Sequence, residues 1–322
     1  MPDLKEILKF GNSFCILPFL HEHLDVDHKK KVCCLSKQEI NNNRLAEIQN
    51  SMLNNEVVPE CNACYDKEDN KTFSHRQLFN TEWFKQYPEI VNDVVENPHV
   101  YSYDLRYSNL CNLRCQTCDA VSSSTWADYL GETEKYKAWE PNLNINPDTK
   151  RIYMAGGEPF LIKSFSTVLN SIKNKDCEVV INTNVTVLTD HMMNALQPFT
   201  NICFILSIDG IGEVNDKIRT LSNWNTIVEN IQTLREKLDP SFQVNTVIQK
   251  DNLDDVPNIA LWLDSQNIKM WNTTLLTHPE QFNYKLYTGK LNWNSLWNRE
   301  CVKSNIQVQN TLRHISNHYS TS

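Results

Sequence analysis

Three thiols stand close together in Cys111-Asn-Leu-Arg-Cys115-Gln-Thr-Cys118, with three and then two residues between them. A tight loop with that spacing can aim three thiolates at one point, and soft thiolates select zinc, copper(I) or iron–sulfur clusters. Structural zinc sites close with four protein ligands. A three-cysteine loop with no near fourth ligand instead suits a cubane with one iron left open, and an open iron is useful where a small molecule is to bind it. A structural zinc site and three core cysteines are the competing readings of the same loop.

A second stretch with chemical content is Gly156-Gly157-Glu158-Pro159. Only 7 of 322 residues are glycine, and four of them are Gly156, Gly157, Gly210 and Gly212. A chain this sparing with glycine spends it where backbone turns tightly or approaches a ligand. Glu158 can accept hydrogen bonds from an ammonium group. Further along, Asn182 and Asn184 are uncharged polar groups able to hydrogen-bond a ligand. Ser207 and Asp209 alternate onto one face of a strand, with Arg219 ten residues beyond Asp209.

The elements that must position these residues change character near residue 100. Apolar strands are predicted at 100–105, 151–154, 178–183, 202–208, 242–248 and 268–275, the fifth carrying Val247. Helices are predicted between them at 122–130, 161–173, 190–196, 226–238 and 253–265. Strict alternation implies a parallel sheet with right-handed crossovers, and six repeats suit an incomplete (β/α)6 barrel of α/β class. Active sites of such barrels gather at the C-terminal strand ends, where every motif above falls. Residues 284–322, with Trp293 and Trp297, have apolar spacing consistent with a helix that caps the open barrel.

Residues 1–98 form a cysteine-bearing segment. A strand-like run from Cys15 to Leu24, a turn at 27–30 and a return at Val32-Cys33-Cys34 predict a hairpin that brings Cys15 near the Cys33/Cys34 pair. Adjacent strand residues face opposite sides, so one of Cys33 and Cys34 should ligate. Cys61-Asn-Ala-Cys64 supplies two more thiolates on one turn. Four cysteines can cage either zinc or a [4Fe–4S] cluster. The stretch 65–86 reads as a polar helical link, and its Ser74-His75-Arg76 as a solvated helix face.

Composition bounds the alternatives. Hydrophobic content of 40% with 10% aromatic residues predicts a sizeable core. A net charge of −8 argues against a nonspecific nucleic-acid binder. Residues 1–10 lack the apolar core of a secretory signal, and no run of eighteen apolar residues predicts a membrane span. Eleven cysteines in such a chain point to metal or redox chemistry in the cytoplasm rather than a disulfide framework.

The C-x3-C-x2-C loop followed by Gly156-Gly157-Glu158-Pro159 resembles the radical S-adenosylmethionine (radical SAM) superfamily. That resemblance implies a [4Fe–4S] cluster on Cys111, Cys115 and Cys118, with SAM chelating the open iron. One electron then cleaves SAM to methionine and a 5′-deoxyadenosyl radical, which abstracts hydrogen from a substrate. It further implies that the Gly156–Pro159 motif holds the SAM amino group. Asn182, Asn184, Ser207, Asp209 and Arg219 would meet its ribose hydroxyls or carboxylate, and Val247 its adenine. The N-terminal cysteines resemble the twitch, or half-SPASM, module, which holds an auxiliary [4Fe–4S] cluster. By that resemblance the ligands are Cys15, Cys33, Cys61 and Cys64, with Cys34 as the alternate to Cys33. The module follows the barrel in the best-known members; here Cys15-Ile-Leu-Pro18-Phe19 and Cys61-Asn-Ala-Cys64-Tyr65-Asp-Lys-Glu68 precede it, as in a smaller group of twitch-domain radical SAM proteins. The expected organisation is a twitch-like module and linker at 1–98, a radical SAM partial barrel at 99–280 and a helical cap or tail at 281–322. Two [4Fe–4S] clusters and SAM are the expected cofactors. A peptide or protein is the first substrate class, a small sugar or alcohol the second, and flavodoxin or ferredoxin the electron donor. A zinc-stabilised binding protein without radical chemistry is the alternative from another class.

Overall fold

The computed structural model describes residues 11–27, 29–137 and 145–320; residues 1–10, and the His28 step of the turn at 27–30, lie outside the described residues. Among the described residues ten strands are formed: β1 (His21–Leu24), β2 (Lys30–Lys31), β3 (Ser102–Leu105), β4 (Arg114–Cys115), β5 (Arg151–Met154), β6 (Glu178–Thr183), β7 (Asn201–Ser207), β8 (Arg219–Thr220), β9 (Ser241–Ile248) and β10 (Met270–Leu275). Eight of them make one sheet in the order β10-β9-β7-β6-β5-β3-β1-β2. Neighbours in it run parallel except for the β1–β2 hairpin. Helices Lys163–Ser171, Asp190–Leu196, Trp224–Leu238 and Val256–Ser265 make the crossovers.

Period-two alternation sorts the side chains of this sheet. Leu105, Met154, Ile181 and Phe204 lie in register on adjacent strands, all fully buried against the helices. Burying a side chain of that size stabilises the fold by roughly 1.5–3 kcal/mol. One residue out of phase, the opposite face carries Asp104, Tyr153, Asn182, Ser207, Asn245 and Asn272. That face is the concave lining of a partial barrel. A one-residue slip would exchange the two faces, so register is strongly specified.

Two features depart from the sequence expectations. The run from Cys15 to Leu24 is not one strand. Pro18 sits at the start of a helical turn, Leu17–Leu20, a position its fixed φ and missing N–H favour, and the strand begins at His21. β1 also pairs in parallel with β3, His21 opposite Ser102, so the N-terminal segment contributes to the main sheet. The second departure is the link at 65–86. Helix His75–Gln86 starts with a capping box between Ser74 and Gln77, but Ser74 and Arg76 are buried. Arg76 pairs with Glu68 and donates to the Phe14 carbonyl at 2.7 Å. The polar face is turned inward to tie the link to the segment around Cys15.

Apolar residues gather in two clusters. One centres on Phe14, Leu17, Leu20, Met52, Trp83 and Val91 of the N-terminal segment. The other is the barrel core, and it takes in Val308, Leu312 and Ile315 of helix Ile306–Ser320. Asn305 donates to the Trp271 carbonyl of β10 at 2.8 Å, covering that sheet edge at one point.

Candidate metal centre and ligand cradle

The cysteine loop follows the C-terminal end of β3, and polar side chains just beyond it hold its shape. Ser124 Oγ accepts from Cys111 N–H at 3.1 Å, and Thr125 Oγ1 donates to the Cys111 carbonyl. Ser123 Oγ donates to the Leu113 carbonyl at 2.7 Å. Trp126 Nε1 donates to the Cys115 carbonyl at 2.9 Å. These four residues are the cap and first turn of helix Ser124–Leu130, which thus braces the loop. On its other side β4 pairs with β8, Cys115 opposite Arg219.

The glycine pair does a job that the sequence assigns to a ligand. Gly156 and Gly157 have φ of 86° and 47°. A Cβ on Gly157 would lie 2.1 Å from the Leu110 carbonyl oxygen, and one on Gly156 3.0 Å from that of Ser108. Glu158 N–H then donates to the Leu110 carbonyl at 2.7 Å. The close approach is therefore to the base of the cysteine loop, and it locks the two motifs into one unit.

Glu158 is fully buried beneath that unit. Its carboxylate accepts from Thr183 Oγ1 at 2.7 Å, Asn184 N–H at 2.8 Å and Phe160 N–H at 3.1 Å. Burial raises its pKa to about 7 against those donors. A carboxylate has about four acceptor positions, so an ammonium arriving here would meet remaining capacity and would relieve the cost of the buried charge. Pro159 follows at the start of a short 3-10 turn that Glu158 caps.

Arg219 supplies the opposite sign. Its guanidinium lies 3.9 Å from Cys115 Sγ and 2.9 Å from Asp209 Oδ2. Neither Asp209 Oδ2 nor Arg219 Nε has a hydrogen-bond partner among the described residues, so this ion pair is off the bonding line and leaves the fork open to another acceptor. Asp209 is buried, and its Oδ1 accepts from Val247 N–H at 2.7 Å. It positions Arg219 and β9 rather than facing open space. The hydrogen bond from Cys118 and the nearby Arg219 charge pull the Cys115 thiol down against burial, while burial pushes Cys111 up to about 11.

Asn184 joins several parts: its Nδ2 lies 3.9 Å from Cys111 Sγ and donates to Asn112 Oδ1 at 3.1 Å. Asn182 accepts from Ser207 Oγ at 3.2 Å across β6 and β7. Val247 has both backbone groups engaged, its carbonyl accepting from Asn252 at 2.9 Å, so its side chain is what it can offer a ring. Sequence reasoning missed Asn112, Asn252 and Gln249, the last donating to Gln116 of the cysteine loop at 2.6 Å. Their signal was present only as amide residues in loops after predicted strands.

The structure therefore gathers the three loop cysteines, Glu158, Asn184, Asp209 and Arg219 around one mouth. Soft thiols with a cation to offset thiolate charge fit an iron–sulfur group. Among the described residues no three His, Cys, Asp or Glu side chains close around a single metal ion; a cubane sets each thiolate on a different iron and asks for wider spacing.

The N-terminal cysteines make a separate site. Cys15, Cys33, Cys61 and Cys64 line one small cavity with His75 and Arg76, and all four are buried, whereas Cys34 is exposed. Burial pushes the Cys61 thiol up to about 12. Cys34 is not among the residues that line that cavity.

A parallel α/β partial barrel with a thiol loop and a carboxylate–guanidinium pair at its strand ends defines a class of cofactor-dependent fold. Residues 105–263 match the family model of the Radical SAM superfamily, and that part of the chain is a radical SAM domain. The chain is 28% identical over 214 residues to the tungsten-containing aldehyde ferredoxin oxidoreductase cofactor-modifying protein of Pyrococcus furiosus, covering 60% of this chain and 57% of that one. It is 28% identical over 162 residues to the Fe-coproporphyrin III synthase of Methanosarcina barkeri, covering 49% and 39%. The chain thus spans about half the length of these curated relatives. Among solved structures, native anSMEcpe with bound AdoMet and the Kp18Cys peptide superposes with a TM-score of 0.43 at 17% identity, over 57% of this chain and 54% of that one. No helix among the described residues is long and apolar enough to cross a membrane.

Proposed function

We propose that the chain is a radical SAM enzyme that modifies a peptide or protein. The observation that carries this is the Cys111–Cys115–Cys118 loop locked against buried Glu158 and open-forked Arg219 at the strand ends. When bound, a [4Fe–4S] cluster with SAM supplies a 5′-deoxyadenosyl radical able to abstract hydrogen from carbon. The chain's residues bind and orient. Glu158 receives the SAM ammonium, and Arg219 its carboxylate, the two buried charges holding the methionyl end between them. Asn182, Asn184 and Ser207 reach ribose hydroxyls, and the Val247 side chain packs on adenine. The concave face keeps water from the reacting carbon.

The N-terminal segment, in this reading, is a twitch-like module with an auxiliary [4Fe–4S] cluster on Cys15, Cys33, Cys61 and Cys64. Four buried thiols around one cavity, with Cys34 outside it, support that ligand set. The named relatives differ in what they modify and so do not select a substrate; a peptide or protein is the first class on the resemblance of the N-terminal cysteines to the twitch module.

The test is anaerobic reconstitution, metal analysis and product assay with dithionite. About eight irons per chain and release of 5′-deoxyadenosine are expected, with loss of about four irons and of that release in the Cys111→Ala/Cys115→Ala/Cys118→Ala variant. Zinc in place of all iron, with no SAM binding, would overturn the reading.

A further inference from the structure

The concave face carries a guanidinium that the reading above leaves without a task. Arg106 stands one residue past β3, at the C-terminal strand ends. Its side chain lies along the Asp104 carboxylate on that face: Nε donates to Oδ1 at 3.2 Å and Nη2 to Oδ2 at 3.4 Å. The side chain is 33% exposed, against 11% for Arg219. Arg151, at the N-terminal end of β5, differs from both, because Glu82 at 3.0 Å and Glu178 at 3.2 Å answer it from two sides.

Two aspartates of this face are built alike. Asp209 is fixed by Val247 N–H of β9 and holds Arg219. Asp104 is fixed by His23 of β1, with Nδ1 at 3.0 Å from Oδ2, and holds Arg106. His23 and Asp104 are 2% and 6% exposed, so the string grows outward from the core and ends in the guanidinium. A guanidinium has five N–H donors in a rigid fork. Among the described residues the side-chain bonds of Arg106 go to Asp104, and the rest of the fork is left for another acceptor. Its place suits a second molecule beside SAM. Arg106 N–H donates to the Leu24 carbonyl of β1 at 3.0 Å, and its Cα and Cβ lie 3.4 and 3.2 Å from where a Cβ on Gly156 would stand. It thus sits between the N-terminal segment and the Gly156–Pro159 turn. Tyr153, in register with Asp104 on β5, adds a half-buried phenol to the same wall.

We infer that Arg106 is a substrate anchor, binding a carboxylate of the peptide or protein substrate through its remaining N–H groups, with Asp104 and His23 as positioning residues. The inference rests on the function proposed above and adds a specificity to it: an acidic side chain or a free C-terminus close to the modified carbon. A planar fork matches a carboxylate with two parallel hydrogen bonds, where an ammonium would offer a point charge. The contact is non-covalent, and no electron or proton moves through it.

The test uses SAM-loaded holoprotein and three probe peptides: acetyl-Gly-Glu-Gly-amide, its Gln counterpart, and acetyl-Gly-Gly-Gly with a free C-terminus. Saturation-transfer NMR reads binding, and phenylglyoxal labelling with mass mapping reads whether a peptide shields Arg106. Expected is a preference of about tenfold for a carboxylate peptide over the Gln peptide, with Arg106 shielded by the preferred peptide. Arg106→Gln should lose the preference, and Arg106→Lys should return part of it. Whether the Glu side chain or the free C-terminus is preferred says which carboxylate is read, and either supports the anchor. Equal binding of all three by wild type, binding of none, a preference that survives in Arg106→Gln, or labelling of Arg106 that no peptide slows overturns it. The wild-type arms decide the matter even where a variant fails to fold. The enzyme reading fails separately, in a wild type that holds no iron or binds no SAM, and the anchor falls with it.

Discussion

The chain carries two thiol sites that solve opposite problems. At the barrel mouth three cysteines share a loop with Arg219 at 3.9 Å from Cys115 Sγ, and Cys111 and Cys118 are only partly buried. In the N-terminal segment four cysteines from three separate elements are all buried, and Arg76 beside them is already paired with Glu68. The first site offers three thiols and groups for a further molecule; the second gathers four buried thiols around one small cavity. Openness has to be engineered by bracing from outside, whereas closure follows from core packing.

That contrast can be broken at its joint. Gly157→Ala puts a Cβ on the Leu110 carbonyl and a side chain at positive φ, a combination expected to cost on the order of 3 kcal/mol or more. Urea unfolding should show that loss, and reconstitution should show iron lost from the loop in preference to the N-terminal site. The closed site is sharpened by a pair of neighbours: Cys33→Ala should remove its metal, and Cys34→Ala should leave metal content at the wild-type value. Equal loss from both would dissolve the assignment of one face to each.

Glu158 tests what makes the mouth a ligand site. Glu158→Gln removes the buried charge and should weaken SAM binding by about tenfold or more, since hydrogen bonds to charged groups contribute about 1.5–3 kcal/mol; calorimetry reads it. The pH dependence has a definite sign. A carboxyl raised to about 7 in the fold contributes fully below its ordinary value near 4.5, and its contribution is lost as pH rises through about 7. Stability of the unliganded chain should carry this slope, and Glu158→Gln should abolish it. An incoming ammonium lowers the same pKa, so SAM binding near pH 6 should release protons, detectable in buffers of different ionisation enthalpy. Smallest in effect, Thr183→Val removes one donor to Glu158 and should cost about 1 kcal/mol, seen as a modest drop in melting temperature.

Much of this architecture was legible from sequence. The six strands from 102 to 275 fall within a few residues of their predicted spans, because buried parallel strands read as apolar runs. The cysteine loop and Gly156–Glu158 motif announced themselves by spacing. Less legible were contacts made by neutral side chains: nothing in Asn112 or Thr183 says which carbonyl or carboxylate it will meet. Ser74 and Arg76 misled because a polar run on a helix reads as solvated, while here Glu68 and the Phe14 carbonyl satisfy it internally. The parallel pairing of β1 with β3 joins positions about eighty residues apart, 21 and 102, and local pattern carries no signal for it. Pro18 did hold a usable warning that the Cys15–Leu24 run would break.

The bond from Glu158 N–H to the Leu110 carbonyl also sets a timetable. Residues 108–118 are braced by helix Ser124–Leu130 and by the turn after β5, whose Glu158 is held in turn by Thr183 and Asn184. Parallel strands joined by long crossovers pair late in folding. The open thiol site is therefore assembled only on a chain whose sheet already stands, and whatever delivers iron to it must work on a folded surface rather than on a nascent loop.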